Sequence, residues 1–306
     1  MTPHETGFKR LLIAGSGAIG CLLAAGAVRE QFSYTLFPRH LPHAPISVTD
    51  DSVMVTLDHF DALPVRTRPD DLLVVPVKVY QVSEVVRHWA PHLHPQTPVL
   101  LMHNGMGGTE SARFWLPAGQ PLFSATTTHG AYRADATHVR HTGHGQTTVG
   151  TLDSPPAEDA TGQRITALLA RLLGSAEFDS DMKTAMWKKL AVNAVINPLT
   201  ALHDMKNGEV LDEQWQPLVR ALCVETVNIA QAEGVMLTVS ALVALVNEVA
   251  TRTADNYSSM HQDVLHRRRT EIDGINGYLA TLAKKRGIDA LHHASLTEQI
   301  RQLATT

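Results

Sequence analysis

The stretch from residue 8 to residue 30 constrains the fold of this chain more than any other. Residues 8–14 form a short apolar run headed by Lys9-Arg10, the pattern of a buried parallel strand. Gly15-Ser-Gly-Ala-Ile-Gly20 follows at once, and residues 21–30 continue as a helix of small residues. A strand, a G-x-G-x-x-G loop and a helix in that order give each glycine a role. Gly15 permits a tight turn, Gly17 lets backbone approach a pyrophosphate, and Gly20 lets the helix pack close to the strand. The first helical amides then offer donors and the positive end of the helix dipole to an anion. Glycine spacing alone is weak evidence, but its place between strand and helix makes it strong. Gly15, Ser16, Gly17, Ala18, Ile19 and Gly20 are therefore expected to bind a dinucleotide. The basic pair ahead of an apolar segment imitates a secretory leader or a membrane span, but the embedded glycines and strand-like first half argue against both.

The next strand, residues 34–37, ends in Pro38-Arg39-His40, and no acid follows until Asp50. An NAD-preferring fold places Asp or Glu here to hold the ribose hydroxyls, whereas a guanidinium suits the 2′-phosphate of NADP(H). Arg39 is read that way, in preference to a surface arginine at a strand end. Residues 72–77 are a fully apolar strand ending at Lys78, and residues 98–102 another, ending in His103-Asn104-Gly105-Met106-Gly107-Gly108. Ligands of open α/β sheets bind beyond the carboxyl ends of the strands, which places Lys78 and Asn104 within reach of cofactor or substrate. The plainer alternatives are an exposed lysine and an asparagine bonded to its own turn. Strands at 53–57, 122–128 and 147–151, a hairpin region before the last, a helix at 157–173 and a strand at 176–178 complete this half. The expected fold is an α/β Rossmann-like dinucleotide-binding domain at 1–180 followed by an all-α domain at 181–306, with helical segments at 182–197, 215–234, 238–250, 252–286 and 295–304.

Within the helical half, Lys189, Asn193 and Asn197 recur every fourth residue of an otherwise apolar stretch. They share one helical face, successive members turned by about 40°. One ammonium and two carboxamides on a buried-looking helix are unfavourable unless something polar lies opposite them. Taken alone, the stretch reads more simply as a helix end with an exposed lysine, because Pro198 is expected to stop or kink the helix at Asn197. If 252–286 is one long helix, Asn256, Ser259, Asp263 and Glu271 fall within an arc of about 120°.

Composition excludes other classes. The 306 residues carry a net charge of −4 and no basic block beyond Arg267-Arg268-Arg269, which argues against nucleic acid as a partner. Cys21 and Cys223 lie in different halves, so no disulfide framework exists and a reducing, cytoplasmic setting is expected. No membrane partner is expected. Among the 17 histidines, His92/His94, His141/His144 and His292/His293 are the densest groups, yet none has acidic or cysteine partners at a spacing that specifies a site. No metal is expected.

These pieces resemble the ketopantoate reductase (2-dehydropantoate 2-reductase) family from the first strand to about Asn276. The resemblance is carried by GSGAIG (15–20), HNGMG (103–107), WKKLAVNAVINPLTA (187–201), NGE (207–209), SSMHQD (258–263) and TEIDGING (270–277). It implies an active site in the cleft between the two domains, with NADPH/NADP+ as cofactor and a small 2-keto acid as substrate. The implied reaction is reduction of ketopantoate to (R)-pantoate, for pantothenate and coenzyme A synthesis. By the same resemblance Lys189 protonates the keto oxygen as hydride reaches the keto carbon, and Glu271 pairs with the substrate hydroxyl and the surroundings of the lysine. Asn193 and Asn197 hold the substrate, and Asn256 and Ser259 lie near its carboxylate and polar end. Lys78 and Asn104 match the junction of cofactor and substrate, and Arg39 the 2′-phosphate contact. An ammonium placed where alkoxide charge develops can act as electrostatic stabiliser and general acid together. Phe37-Pro38 ahead of Arg39 departs from the pattern and stiffens its approach. Relatives reduce other branched 2-keto acids with the same residues, so a 2-hydroxy acid dehydrogenase of different substrate is the alternative. A non-catalytic NADPH sensor should lack the proton donor and its amides, which this chain retains. The apolar helices can close the second domain's own core or pair across a two-fold axis as a homodimer.

Overall fold

The computed structural model describes residues 7–152 and 159–303. It divides into two compact units, Met1–His103 with Gly108–Met182 and Asn104–Gly107 with Lys183–Thr306.

The first unit contains β1 (Arg10–Ile13), α1 (Ala18–Arg29), β2 (Tyr34–Leu36), β3 (Ile46–Asp50), β4 (Val53–Leu57), β5 (Asp71–Val75), α2 (Val79–Trp89), β6 (Val99–Met102), α3 (Gly108–Trp115), β7 (Leu122–Thr127), β8 (Gly130–Arg133), β9 (His138–Gly143), β10 (Thr147–Gly150), α4 (Ala160–Leu173) and β11 (Ala176–Phe178). Seven strands form one sheet in the order β11-β10-β7-β6-β5-β1-β2. All its pairings are parallel except β10 against β7. The continuous apolar runs of the sequence become central strands buried on both faces. Alternate side chains then serve two cores. Leu11, Ile13, Leu72, Val74, Leu100 and Met102 face the side covered by α1 and α4. Leu12, Leu73, Val75, Val99 and Leu101 face the side covered by α2 and α3.

The region between β7 and β10, expected only as a hairpin, contributes to a second sheet of order β4-β3-β9-β8. There β9 runs parallel to β3, with Val48 opposite Val139. Helix α4 begins at Ala160, where Asp159 accepts from the amides of Thr161 and Gly162 at 3.0 Å each. The expected start at Ala157 lies outside the described residues.

The second unit is helical: α5 (Met182–His203), α6 (Gln216–Ala232), α7 (Val239–Arg252), α8 (Ser259–Leu265), α9 (Asn276–Arg286) and α10 (Leu291–Leu303). No helix of the described residues is long and apolar enough to cross a membrane. Two expectations fail here. The segment 252–286 is not one helix. It breaks after Arg252, restarts where Ser258 Oγ accepts the His261 amide at 3.1 Å, and breaks again through Arg267, whose φ is +53°. Only Ser259 and Asp263 of the proposed arc share a helix.

The second concerns Pro198: of the stop or kink expected there, the stop is absent, and α5 runs on to His203. Proline removes the amide that would bond the carbonyl four residues earlier, that of Ala194. The buried side chain of Asn276 takes its place, donating from Nδ2 to the Ala194 oxygen at 2.8 Å. Its other Nδ2 hydrogen reaches His293 Nδ1 at 3.1 Å. Burial lowers the His293 pKa to about 4, so the ring stays neutral and its Nδ1 remains an acceptor. Asn276→Ala is expected to cost about 2 kcal/mol of unfolding free energy, by leaving a buried carbonyl unsatisfied. In a Pro198→Ala background the loss should be clearly smaller, because a backbone amide returns to that carbonyl. Equal losses in the two backgrounds, in urea melts, would show that Asn276 does not serve this purpose.

Candidate active site

In the first unit the candidate residues centre on the loop between β1 and α1. Gly15 has φ +139°, a region closed to other residues, and turns the chain sharply out of the strand. Gly17 caps α1, and the first helical bond runs from the Cys21 amide to the Gly17 oxygen at 2.9 Å. The amides of Ala18, Ile19 and Gly20 are thus left over for a ligand. One contact is not signalled by the sequence: Arg133, at the end of β8, donates to the Ser16 carbonyl. Cys21 Sγ reaches the same oxygen at 3.4 Å. A planar trans peptide sends its carbonyl and its amide in opposite directions. Holding the Ser16 oxygen back therefore turns the Gly17 amide outward with the helical ones. This cradle fits the pyrophosphate of a dinucleotide.

Arg39 is exposed just past β2, behind the buried Pro38. Lys78 is half-buried beyond β5, where its amide bonds Gln81 Oε1 at 3.2 Å and fixes the start of α2.

A separate group of candidate residues lies in the helical unit. Because α5 is unbroken, Lys189, Asn193 and Asn197 do line one face. Trp187, Leu190, Ala191, Ala194 and Val195 bury the rest of the helix. Lys189 and Asn193 are half-buried, and Asn197 is buried. Although the whole Lys189 side chain keeps some exposure, protein atoms crowd its ammonium. That desolvation lowers its pKa to about 8, while the negative charge of Glu271 pulls in the opposite direction.

Glu271 is buried, and its Oε2 accepts from Asn104 Nδ2 at 3.3 Å. The backbone supports this pair. The Met106 amide bonds the Gly274 oxygen at 2.9 Å, and Gly105 adopts φ +79° so close to that oxygen that a Cβ would meet it at 2.4 Å. The HNGMG loop and the TEIDGING segment are thus one construction, which their separation in sequence conceals.

Asn256 and Ser259 are exposed. The Asn256 carbonyl accepts the Asn207 amide at 2.9 Å, which links the NGE motif to this loop. The buried serine is the neighbour, Ser258, whose hydroxyl accepts from Thr200 of α5 at 2.7 Å. That bond fixes Ser259 to the helix that carries the lysine.

Two family models match the chain, one described as ketopantoate reductase PanE/ApbA over residues 11–154 and one as its C terminal over residues 181–304. A 2-dehydropantoate 2-reductase of Vibrio cholerae is 36% identical over 302 residues, covering 96% of this chain and 97% of its own. The crystal structure of a PanE/ApbA family ketopantoate reductase from Ralstonia eutropha superposes with a TM-score of 0.85 at 24% identity, covering 97% of this chain and 98% of the other. D-mandelate dehydrogenase, solved with NADH and anilino(oxo)acetate, superposes with a TM-score of 0.88 at 21% identity, over 97% and 98%. Both structural likenesses are of fold.

The cradle separates two glycine variants. A Cβ at Gly20 would meet the Gly15 oxygen at 2.1 Å, whereas one at Gly17 finds only the Pro76 oxygen, at 3.7 Å. Gly20→Ala is expected to lower the melting temperature. Gly17→Ala should leave it unchanged and weaken NADPH binding in a fluorescence titration, by obstructing the pyrophosphate. Undiminished binding by Gly17→Ala would contradict the assignment of the cradle.

Proposed function

The chain belongs to the ketopantoate reductase family, and we propose that it reduces 2-dehydropantoate to (R)-pantoate with NADPH, a step of pantothenate and coenzyme A synthesis. The observation that carries the reading is the desolvated ammonium of Lys189 under the influence of the buried Glu271 carboxylate. On this reading, residues 1–180 bind NADP(H) and residues 181–306 carry the catalytic residues.

Bound NADPH supplies the hydride that adds to the keto carbon. Lys189 gives its proton to the keto oxygen as negative charge gathers there. With a pKa of about 8, the lysine is mostly protonated at neutral pH yet releases its proton more readily than an exposed lysine. An alkoxide is far more basic than the resulting amine, so the transfer is downhill, and the amine regains a proton from water. Glu271 favours the ammonium before the transfer and accepts the substrate hydroxyl. Asn104 orients it from behind. Asn193 and Asn197 donate to substrate oxygens from the same face of α5, and Asn256 and Ser259 address its polar end. Gly15, Ser16, Gly17, Ala18, Ile19 and Gly20 cradle the pyrophosphate. Arg39 takes the 2′-phosphate, and Lys78 a further cofactor oxygen.

The test is loss of reduced-nicotinamide absorbance with ketopantoate, beside NADH and a panel of other branched 2-keto acids. The proposal expects fastest turnover with NADPH and ketopantoate. Faster turnover with another keto acid would keep the residue roles and replace the substrate, and no oxidation at all would overturn the proposal. Lys189→Ala should lower kcat by about 10²–10⁴-fold while NADPH still binds; unchanged turnover would remove the lysine from the mechanism. Arg39→Ala should raise KM for NADPH by about tenfold and leave KM for NADH unmoved. Equal effects on both would mean that Arg39 does not read the 2′-phosphate.

A further inference from the structure

The small sheet of the first unit gathers titratable groups that the reduction does not use. Asp50 ends β3, His129 sits between β7 and β8, His141 lies on β9, and His144 follows it. His129 Nδ1 is 3.1 Å from His141 Nε2. His141 Nδ1 is 2.5 Å from Asp50 Oδ1, and Asp50 also pairs with Arg29 of α1. His144 Nε2 lies 3.1 Å from Asp51 Oδ2 and 3.8 Å from Asp50 Oδ1. One nitrogen from each of His129, His141 and His144 falls within 4.8 Å of the others. His129 and Asp50 are buried, as is the His141 ring, while His144 is exposed.

The hydrogen bonds determine which nitrogens carry lone pairs. Gly145 donates its amide to His129 Nδ1 at 3.2 Å, so that nitrogen is an acceptor. The Asp50 carboxylate, already paired with Arg29, accepts a hydrogen bond from the His141 Nδ1–H. Neutral His141 therefore presents a lone pair at Nε2. The His129 Nδ1 lone pair, shared with the Gly145 amide, and the His141 Nε2 lone pair then lie 3.1 Å apart, a spacing that a cation between them would stabilise. Two imidazole nitrogens bound to one tetrahedral zinc ion are about 3.3 Å apart, close to this spacing. A carboxylate behind the far nitrogen of one histidine is also the support that metal-bound imidazoles receive, setting tautomer and ring orientation.

We propose that His129, His141 and His144 bind a divalent first-row transition ion of the zinc class, with Asp50 supporting His141 from behind. Imidazole donors suit zinc, nickel and copper, and oxygen-preferring ions such as magnesium are poor matches. The ion would tie the turn after β7 to β9 and, through Asp50, to β3. Its role is structural, since none of its ligands belongs to the reduction. A proton on His141 Nε2 is the other cation that satisfies the same bonds.

The experiment separates the two. Full-length protein is stripped with a chelator and titrated with zinc chloride in a calorimeter near neutral pH, and the melting temperature is followed with and without the ion. One equivalent per chain and a raised melting temperature are expected, with affinity reduced at least about tenfold in His144→Ala. The exposed His144 ring makes that variant unlike a core change, and circular dichroism checks its fold. His129→Gln should weaken binding as well. Absence of stoichiometric zinc binding would leave the proton as the bridging cation and overturn the proposal. Binding undiminished in both variants would assign the ion to other histidines and overturn it equally.

Discussion

The structure of the helical unit depends on keeping a lysine ammonium in a place where water is scarce. Burial holds the Lys189 pKa near 8, and the Glu271 carboxylate is the group that offsets it. Neither residue could occupy its position without the segment 270–277. Glu271 is the second residue of that segment, and Asn276, five residues on, supplies the hydrogen bond that Pro198 denies to α5. One short stretch thus provides both the counter-charge for the lysine and the repair of the helix that carries it. The HNGMG loop braces the same stretch through the Met106–Gly274 bond and the contact of Asn104 with Glu271.

This arrangement works against folding stability. A buried charge seldom stabilises a protein as well as apolar residues of the same size, and a lysine with a lowered pKa favours the unfolded chain near neutrality. Between pH 8 and the ordinary lysine range, the unfolded chain binds more protons than the folded one, so the contribution of this group to stability rises with pH. An enzyme that needs a proton donor tuned towards neutrality has reason to keep the pair regardless.

The sequence is most informative where the determinants are local. Residues 8–30 announce strand, glycine turn and helix because each glycine acts on its immediate neighbours, and the apolar runs of β5 and β6 announce burial on both faces. Lys189, Asn193 and Asn197 are legible as a row because helical period relates them. Residues related only through the fold are not. Pro198 argues for a stop unless Asn276 is known to lie beside Ala194. The segment 252–286 has helix-forming composition throughout, and its breaks follow from the cap at Ser258 and the positive φ of Arg267. Arg133 carries no local signal of its bond to Ser16. His141 and His144 look like loop histidines along the chain, and only the parallel pairing of β3 with β9 brings Asp50 to them.

We propose Lys189 as the proton donor, its pKa lowered by burial and partly restored by the charge of Glu271. The pH dependence of kcat/KM tests it most directly, since that ratio reports groups of the free enzyme. Activity should fall on the alkaline side with a midpoint near 8, because only protonated Lys189 can donate. In Glu271→Gln the midpoint should move to lower pH, since the charge that favours the ammonium is gone. A profile flat to the ordinary lysine range, or an alkaline limb unmoved by Glu271→Gln, would contradict the account.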